Sequence, residues 1–76
     1  MEKAIDQYQQ ALAISREIGD RRGEGADLGN LGLAYAALGQ VDKAREYLAM
    51  SLAVFDKIKD PRAEQVKRLL EELDED

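Results

Sequence analysis

The chain has 76 residues, with 16 acidic and 11 basic side chains and no histidine, for a net charge of −5. That balance has the wrong sign for phosphate backbones and anionic lipid surfaces, so no nucleic acid and no membrane surface is expected as a partner. Cysteine is absent, which excludes disulfides and thiolate metal sites, and no apolar run approaches the roughly 20 residues of a membrane span. The start, Met-Glu-Lys-Ala-Ile-Asp, lacks the apolar core of a signal peptide, and a single small domain in the cytoplasm is the default expectation. At this length only about 60% of the unfolded surface can be buried, so the core is marginal and either oligomerisation or excision from a longer array is expected.

The elements read in chain order as four helices with short turns, an all-α arrangement. Helix one covers residues 2 to 18, with Ala4, Tyr8, Ala11, Leu12, Ser15 and Ile18 on one face at spacings of three and four. Gly19 ends it in the left-handed position that follows a helix, and Asp20 can cap the next helix by accepting from a first-turn amide. Helix two, residues 21 to 38, carries Leu28, Leu31, Gly32, Tyr35 and Leu38 on its stripe and stops at Gly39. Helix three, residues 41 to 58, presents Ala44, Leu48, Ser51, Leu52, Phe55 and Ile58. Asp60-Pro61 then opens helix four, with Pro at the first helical position, where its missing amide has no intrahelical partner. Its stripe is Ala63, Val66, Leu69, Leu70 and Leu73.

The chain also repeats itself. Glu2-Lys3-Ala4 returns as Asp42-Lys43-Ala44, Leu12-Ala13 as Leu52-Ala53, and Ile18, Asp20, Arg22 and Glu24 as Ile58, Asp60, Arg62 and Glu64, always 40 positions later. A fixed period in the range of about 20 to 50 residues marks a solenoid, whose units bury their apolar faces only against stacked neighbours. Three glycines in the interior of helix two, Gly25, Gly29 and Gly32, are each less favourable there by about 1 kcal/mol relative to Ala. Packing must therefore supply this helix. Gly32 lies within the apolar stripe, where the missing side chain lets helix three approach at the small Ala44, and a tight antiparallel hairpin is expected.

Leu28-x2-Leu31-Gly32-x2-Tyr35 followed by Ala44-x3-Leu48 resembles the tetratricopeptide pattern W-x2-L-G-x2-Y…A-x3-F, with Leu in place of the Trp and the Phe. Ala4-x3-Tyr8 is similar to the second half of the same motif one period earlier. The runs Glu17-Ile18-Gly19-Asp20 and Leu28-Gly29-Asn30-Leu31-Gly32 resemble the longer repeats of Leu-Gly-Asn proteins and kinesin light chains. The resemblance implies antiparallel helix hairpins of an α-solenoid in a single domain over residues 1–76. It divides that domain into a partial repeat at 1–19, a full repeat at 20–59 and a capping helix at 60–76. It also implies a non-enzymatic module that binds a peptide or protein ligand in a concave groove, with no cofactor. In the resembling subfamilies an Asn at the place of Asn30 reads the backbone of an extended peptide, as a carboxamide can by offering one donor and one acceptor. The alternative for Asn30 is plain solvation on a helix surface. Ala26, Gly29, Leu33 and Ala37 would form the groove floor, and Lys67, Arg68 and Glu71 its neighbouring wall.

Other chemistry finds little support in the sequence. The two serines, Ser15 and Ser51, lie on apolar faces without a His or Cys beside them and read as core residues whose hydroxyls bond back to their own helices. The acidic run from Glu71 to Asp76 lacks the loop geometry of a calcium site and reads as a solvated terminus rather than a metal site. Helix one presents Ala4, Ile5, Tyr8, Ala11 and Ser15 where a preceding helix of the family would pack. A closed homodimer through that face is expected, and an assembly role is the runner-up to ligand binding. Leu70 and the polar outer side of helix four argue against an open chain of copies.

Overall fold

The computed structural model describes residues 2–74. Its four helices are α1 (Glu2–Ile18), α2 (Arg21–Ala37), α3 (Val41–Lys57) and α4 (Arg62–Asp74). The first three are each 17 residues long and end in the same way. Gly19, Gly39 and Lys59 follow them at φ of 74°, 79° and 57°. The next amide in each case bonds back five residues, from Asp20 to Ser15, Gln40 to Tyr35 and Asp60 to Phe55 at 2.8, 2.9 and 2.8 Å. This is the closure that uses a left-handed residue to satisfy carbonyls left over at a helix end. Glycine occupies two of these positions, as the sequence predicts, whereas Lys59 takes the third with a side chain that disfavours it.

Helix starts are capped unevenly. The Asp20 carboxylate accepts from the Gly23 amide at 3.0 Å and starts α2. Asp60 accepts from the Arg62 amide at 2.9 Å and, through two further bonds, from the Arg62 guanidinium. Pro61 sits in the turn, one residue ahead of α4 rather than inside it.

Consecutive helices pack as antiparallel hairpins, and the α2–α3 interface is the most extensive. Its register follows the glycines of α2. A Cβ on Gly25 would meet the Phe55 ring at 2.7 Å, one on Gly29 the Ser51 hydroxyl at 3.3 Å, and one on Gly32 the Leu48 Cγ at 2.6 Å and the Ala44 carbonyl at 3.2 Å. As α2 advances by three or four residues, α3 runs back by as many, so the small face accepts Phe55, Ser51, Leu48 and Ala44 in turn. All four are essentially excluded from solvent. The expected approach at Gly32 is therefore part of a longer glycine track, and the Leu48 side chain rather than the Ala44 methyl fills the space.

Two apolar clusters result. Ile5 and Leu12 of α1 meet Leu28, Leu31, Ala34 and Tyr35 of α2 and Ala44 of α3. Leu48 and Phe55 of α3 meet Val66 of α4, with Leu69, Leu70 and Leu73 half-buried around them. Tyr35 and Tyr47 stack at 5.4 Å between ring centroids, and the Lys43 ammonium lies 5.2 Å from the Tyr35 centroid. Both serines are buried as the sequence suggests, but their hydroxyls do not bond back to their own helices. The Ser15 hydroxyl donates to the Asp27 carboxylate at 3.0 Å and the Ser51 hydroxyl to the Gly25 carbonyl at 2.7 Å, so both bonds tie neighbouring helices together.

α1 is rotated from its expected orientation. Ile5 and Ser15 face inward and are buried, so neither belongs to an open self-association face. Ala4, Tyr8 and Ala11 are half-buried, while Ile14 and Ile18 are 57% and 70% exposed. Leu38, expected on the α2 stripe, lies past the helix end and is also exposed. The reason is geometric: α1 is apolar over more than one side, and α2 covers only the side centred on Leu12.

Candidate functional site

α4 folds back over α3 and leaves a cleft between itself and α2. Gly25, Ala26, Gly29, Asn30 and Leu33 form one wall, Arg62, Gln65, Val66 and Leu69 the other, with Phe55 at the base. A second depression continues the line from Leu33 past Leu48 and Leu69 to Glu72 and Leu73. On the other flank of α2, Asn30 and Leu33 border a hollow shared with Ala4 and Tyr8 of α1. Asn30 and Leu33 thus form a ridge with a depression on either side.

The small residues of α2 create this shape. Gly29 and Ala26 carry no bulk to fill the space opposite α4, and Leu33 remains 46% exposed above it. At about 190 Å³ the first cleft is below the size that encloses a drug-like molecule and suits one or two apolar side chains. Carboxamides stand on both walls, Asn30 on α2 and Gln65 on α4, each able to donate and accept.

One end of the cleft is fixed by charge. The Arg62 guanidinium lies 4.6 Å from the Phe55 ring centroid while donating to Asp60 at 3.0 and 3.1 Å. Arg22, the counterpart of Arg62 one period earlier, approaches the same carboxylate at 3.5 Å. The hydrogen bonds from Arg62, first from its side chain and then from its amide, together with both positive charges, lower the Asp60 pKa from 3.8 to about 2. Asp60 therefore joins the start of α4 to the start of α2, and Arg62 is held flat rather than free to seek a ligand.

Residues expected at the groove divide into two groups. Ala26, Gly29, Asn30 and Leu33 lie along the cleft, whereas Ala37 lies beyond it. Lys67, Arg68 and Glu71 do not line it. Burial of Val66 fixes the rotation of α4, which turns Gln65, Leu69 and Glu72 toward α2 and those three charged residues away. The spacing of 62, 65, 66, 69 and 73 carries that signal in the sequence, once Val66 is taken as the buried centre. Of the acidic terminal run, Glu75 and Asp76 lie outside the described residues, and no helix among the described residues is long and apolar enough to cross a membrane.

Comparison with curated proteins and with solved structures gave no match. The family model described as tetratricopeptide repeat matches residues 1–57, which contain α1, α2, α3 and both glycine-ended turns between them. With the antiparallel hairpins and the Leu31-Gly32-x2-Tyr35 core in place, the chain belongs to the tetratricopeptide repeat family.

Proposed function

We propose that this chain is a non-enzymatic protein-interaction module that holds an extended peptide in the cleft between α2 and α4. The observation that carries this reading is the ridge of Asn30 and Leu33 facing Gln65, Val66 and Leu69 across a glycine-thinned wall. An extended strand offers a backbone amide and carbonyl at each residue and side chains that alternate in direction. Carboxamides on the two walls match the former, and the floor of Phe55, Val66 and Leu69 matches an aliphatic or aromatic side chain of the latter. The net charge of −5 favours a neutral or basic peptide. The resemblance of Leu28-Gly29-Asn30-Leu31-Gly32 to Leu-Gly-Asn repeats supports the same role for Asn30.

The test is selection of peptides from a random library on the intact chain, followed by fluorescence anisotropy with Asn30→Ala and Leu33→Glu. Both residues are exposed, so neither change disturbs the core. Selected peptides whose affinity is unaffected by either substitution overturn the reading.

A further inference from the structure

The repeat supplies an internal control for the outer side of α1. Ala4, Ala11, Ile14 and Ile18 are the counterparts of Ala44, Ser51, Val54 and Ile58. In α3 and at Ile58 just past its end those four positions are buried or half-buried, whereas in α1 Ala4 and Ala11 are half-buried and Ile14 and Ile18 stand 57% and 70% exposed. The stripe, half-buried at Ala4 and Ala11 and exposed at Gln7, Ile14 and Ile18, has seam spacing: Ala4, Ala11 and Ile18 recur every seven residues, with Gln7 and Ile14 three residues after the first two. Lys3 and Glu17 border it on one side, with Gln10 midway between them. Both charges are exposed, and among the described residues neither is in a salt bridge.

We propose that a second copy of the chain covers this stripe from Ala4 to Ile14, with its α1 antiparallel to the first and the two-fold axis passing at Gln10. This goes beyond the peptide reading of the cleft and uses a different face. A two-fold contact must be self-complementary, and this one is. Antiparallel alignment about Gln10 sets Lys3 against Glu17 of the second copy, and the symmetry repeats the pair at the other end. It also sets the large Ile14 against the small Ala4 of the second copy, again twice. The two Gln10 carboxamides meet on the axis, where each can donate to and accept from the other. Gln7 adds a polar group to the seam, a feature that fixes register at some expense in stability. A parallel alignment offers none of this, because Lys3 and Glu17 are about 20 Å apart along the helix. Stacking of α4 onto α1 of another copy is opposed by Leu70. With Val66 placed on Leu28, Leu70 falls at the position of Gly32, where the α2–α3 hairpin has no room for a Cβ.

Sedimentation equilibrium of the 76-residue chain from micromolar to millimolar concentration, at low salt, tests this. The expected result is a monomer–dimer equilibrium that stops at two copies. Lys3→Glu and Glu17→Lys each replace two attractions with two repulsions and should weaken the dimer about tenfold. The double reversal, Lys3→Glu with Glu17→Lys, restores both pairs and should bring the dissociation constant back to within about twofold of the parent. Ile14→Glu should abolish the dimer while the circular dichroism of the monomer remains helical, since Ile14 contributes little to the folded core. A parent that stays monomeric at millimolar concentration overturns the proposal and leaves the stripe to a different helix. A mass that climbs past the dimer overturns it in favour of an open chain of copies. Failure of the double reversal to restore binding overturns the antiparallel register.

Discussion

Replacing Gly32 by Ala adds one methyl group, and the surroundings allow the sign of its effect to be worked out. In an open helix the change stabilises by about 1 kcal/mol, because Gly is the poorer helix former. Here the new Cβ lands 2.6 Å from the Leu48 Cγ and 2.7 Å from its Cδ2, with the Ala44 carbonyl oxygen at 3.2 Å. Leu48 is 1% and Ala44 0% exposed, so neither has free space to move into. Relief requires either a strained Leu48 rotamer or separation of α2 from α3, and overpacking of this kind costs about 1 to 3 kcal/mol. Packing wins, and Gly32→Ala should melt below the parent, by about 4 to 8 °C for each kcal/mol of net loss. Gly32→Leu, with a larger side chain on the same track, should melt lower still. Thermal unfolding followed by circular dichroism reads the difference, and a second background isolates its cause. Leu48→Ala alone should destabilise by about 2 to 5 kcal/mol. Once that side chain is gone, only the Ala44 carbonyl contact at 3.2 Å remains, and adding Gly32→Ala should cost much less than in the parent, or stabilise through helix propensity. A single Gly32→Ala variant that melts at or above the parent refutes the close-packed hairpin. An equal loss in both backgrounds assigns the effect to something other than Leu48.

Three further outcomes follow from the turns and the cleft. Lys59→Gly should raise stability by about 1 kcal/mol, because Lys59 holds φ at 57° where the equivalent Gly19 and Gly39 sit without strain, and a lower melting temperature would disprove this. Asp60 has its carboxyl pKa lowered from 3.8 to about 2 by Arg62 and Arg22, so its ionised form stabilises the fold above the unfolded value. That contribution should disappear as pH falls between about 4 and 2, and Asp60→Asn should flatten this part of a stability–pH curve; an unchanged curve contradicts the clamp. Asn30→Ala should weaken a selected peptide by about 0.5 to 1.5 kcal/mol, the net worth of one hydrogen bond, with no change in melting temperature.

Local chemistry made much of this protein legible before any packing was considered. Helix limits came from spacing at three and four and from Gly19 and Gly39, because a left-handed residue past a helix end is a local requirement that Gly meets without strain. The hairpin of α2 and α3 was readable from Gly32 and Ala44, since a glycine in an apolar stripe has few uses other than close approach. The family resemblance rested on the same residues. Lys59 breaks this local rule, and only the backbone closure from Asp60 to Phe55 shows that it takes the glycine's place.

The tertiary structure decided how α1 and α4 are turned about their own axes. α1 has apolar residues over more than a third of its circumference and α4 over about a third, and a helical period states that a stripe exists without stating which neighbour covers it. In α1 the contact with α2 draws in Ile5, Leu12 and Ser15 and leaves Ile14 and Ile18 outside, although the offset of 40 that pairs Ile14 with Val54 was available as a signal. In α4 burial of Val66 against Leu48 and Phe55 brings Gln65 and Leu69 to the cleft and carries Lys67, Arg68 and Glu71 away from it. A helix buries the side that its neighbours leave room for, and that room is set by residues distant in the chain, such as the glycine track of α2.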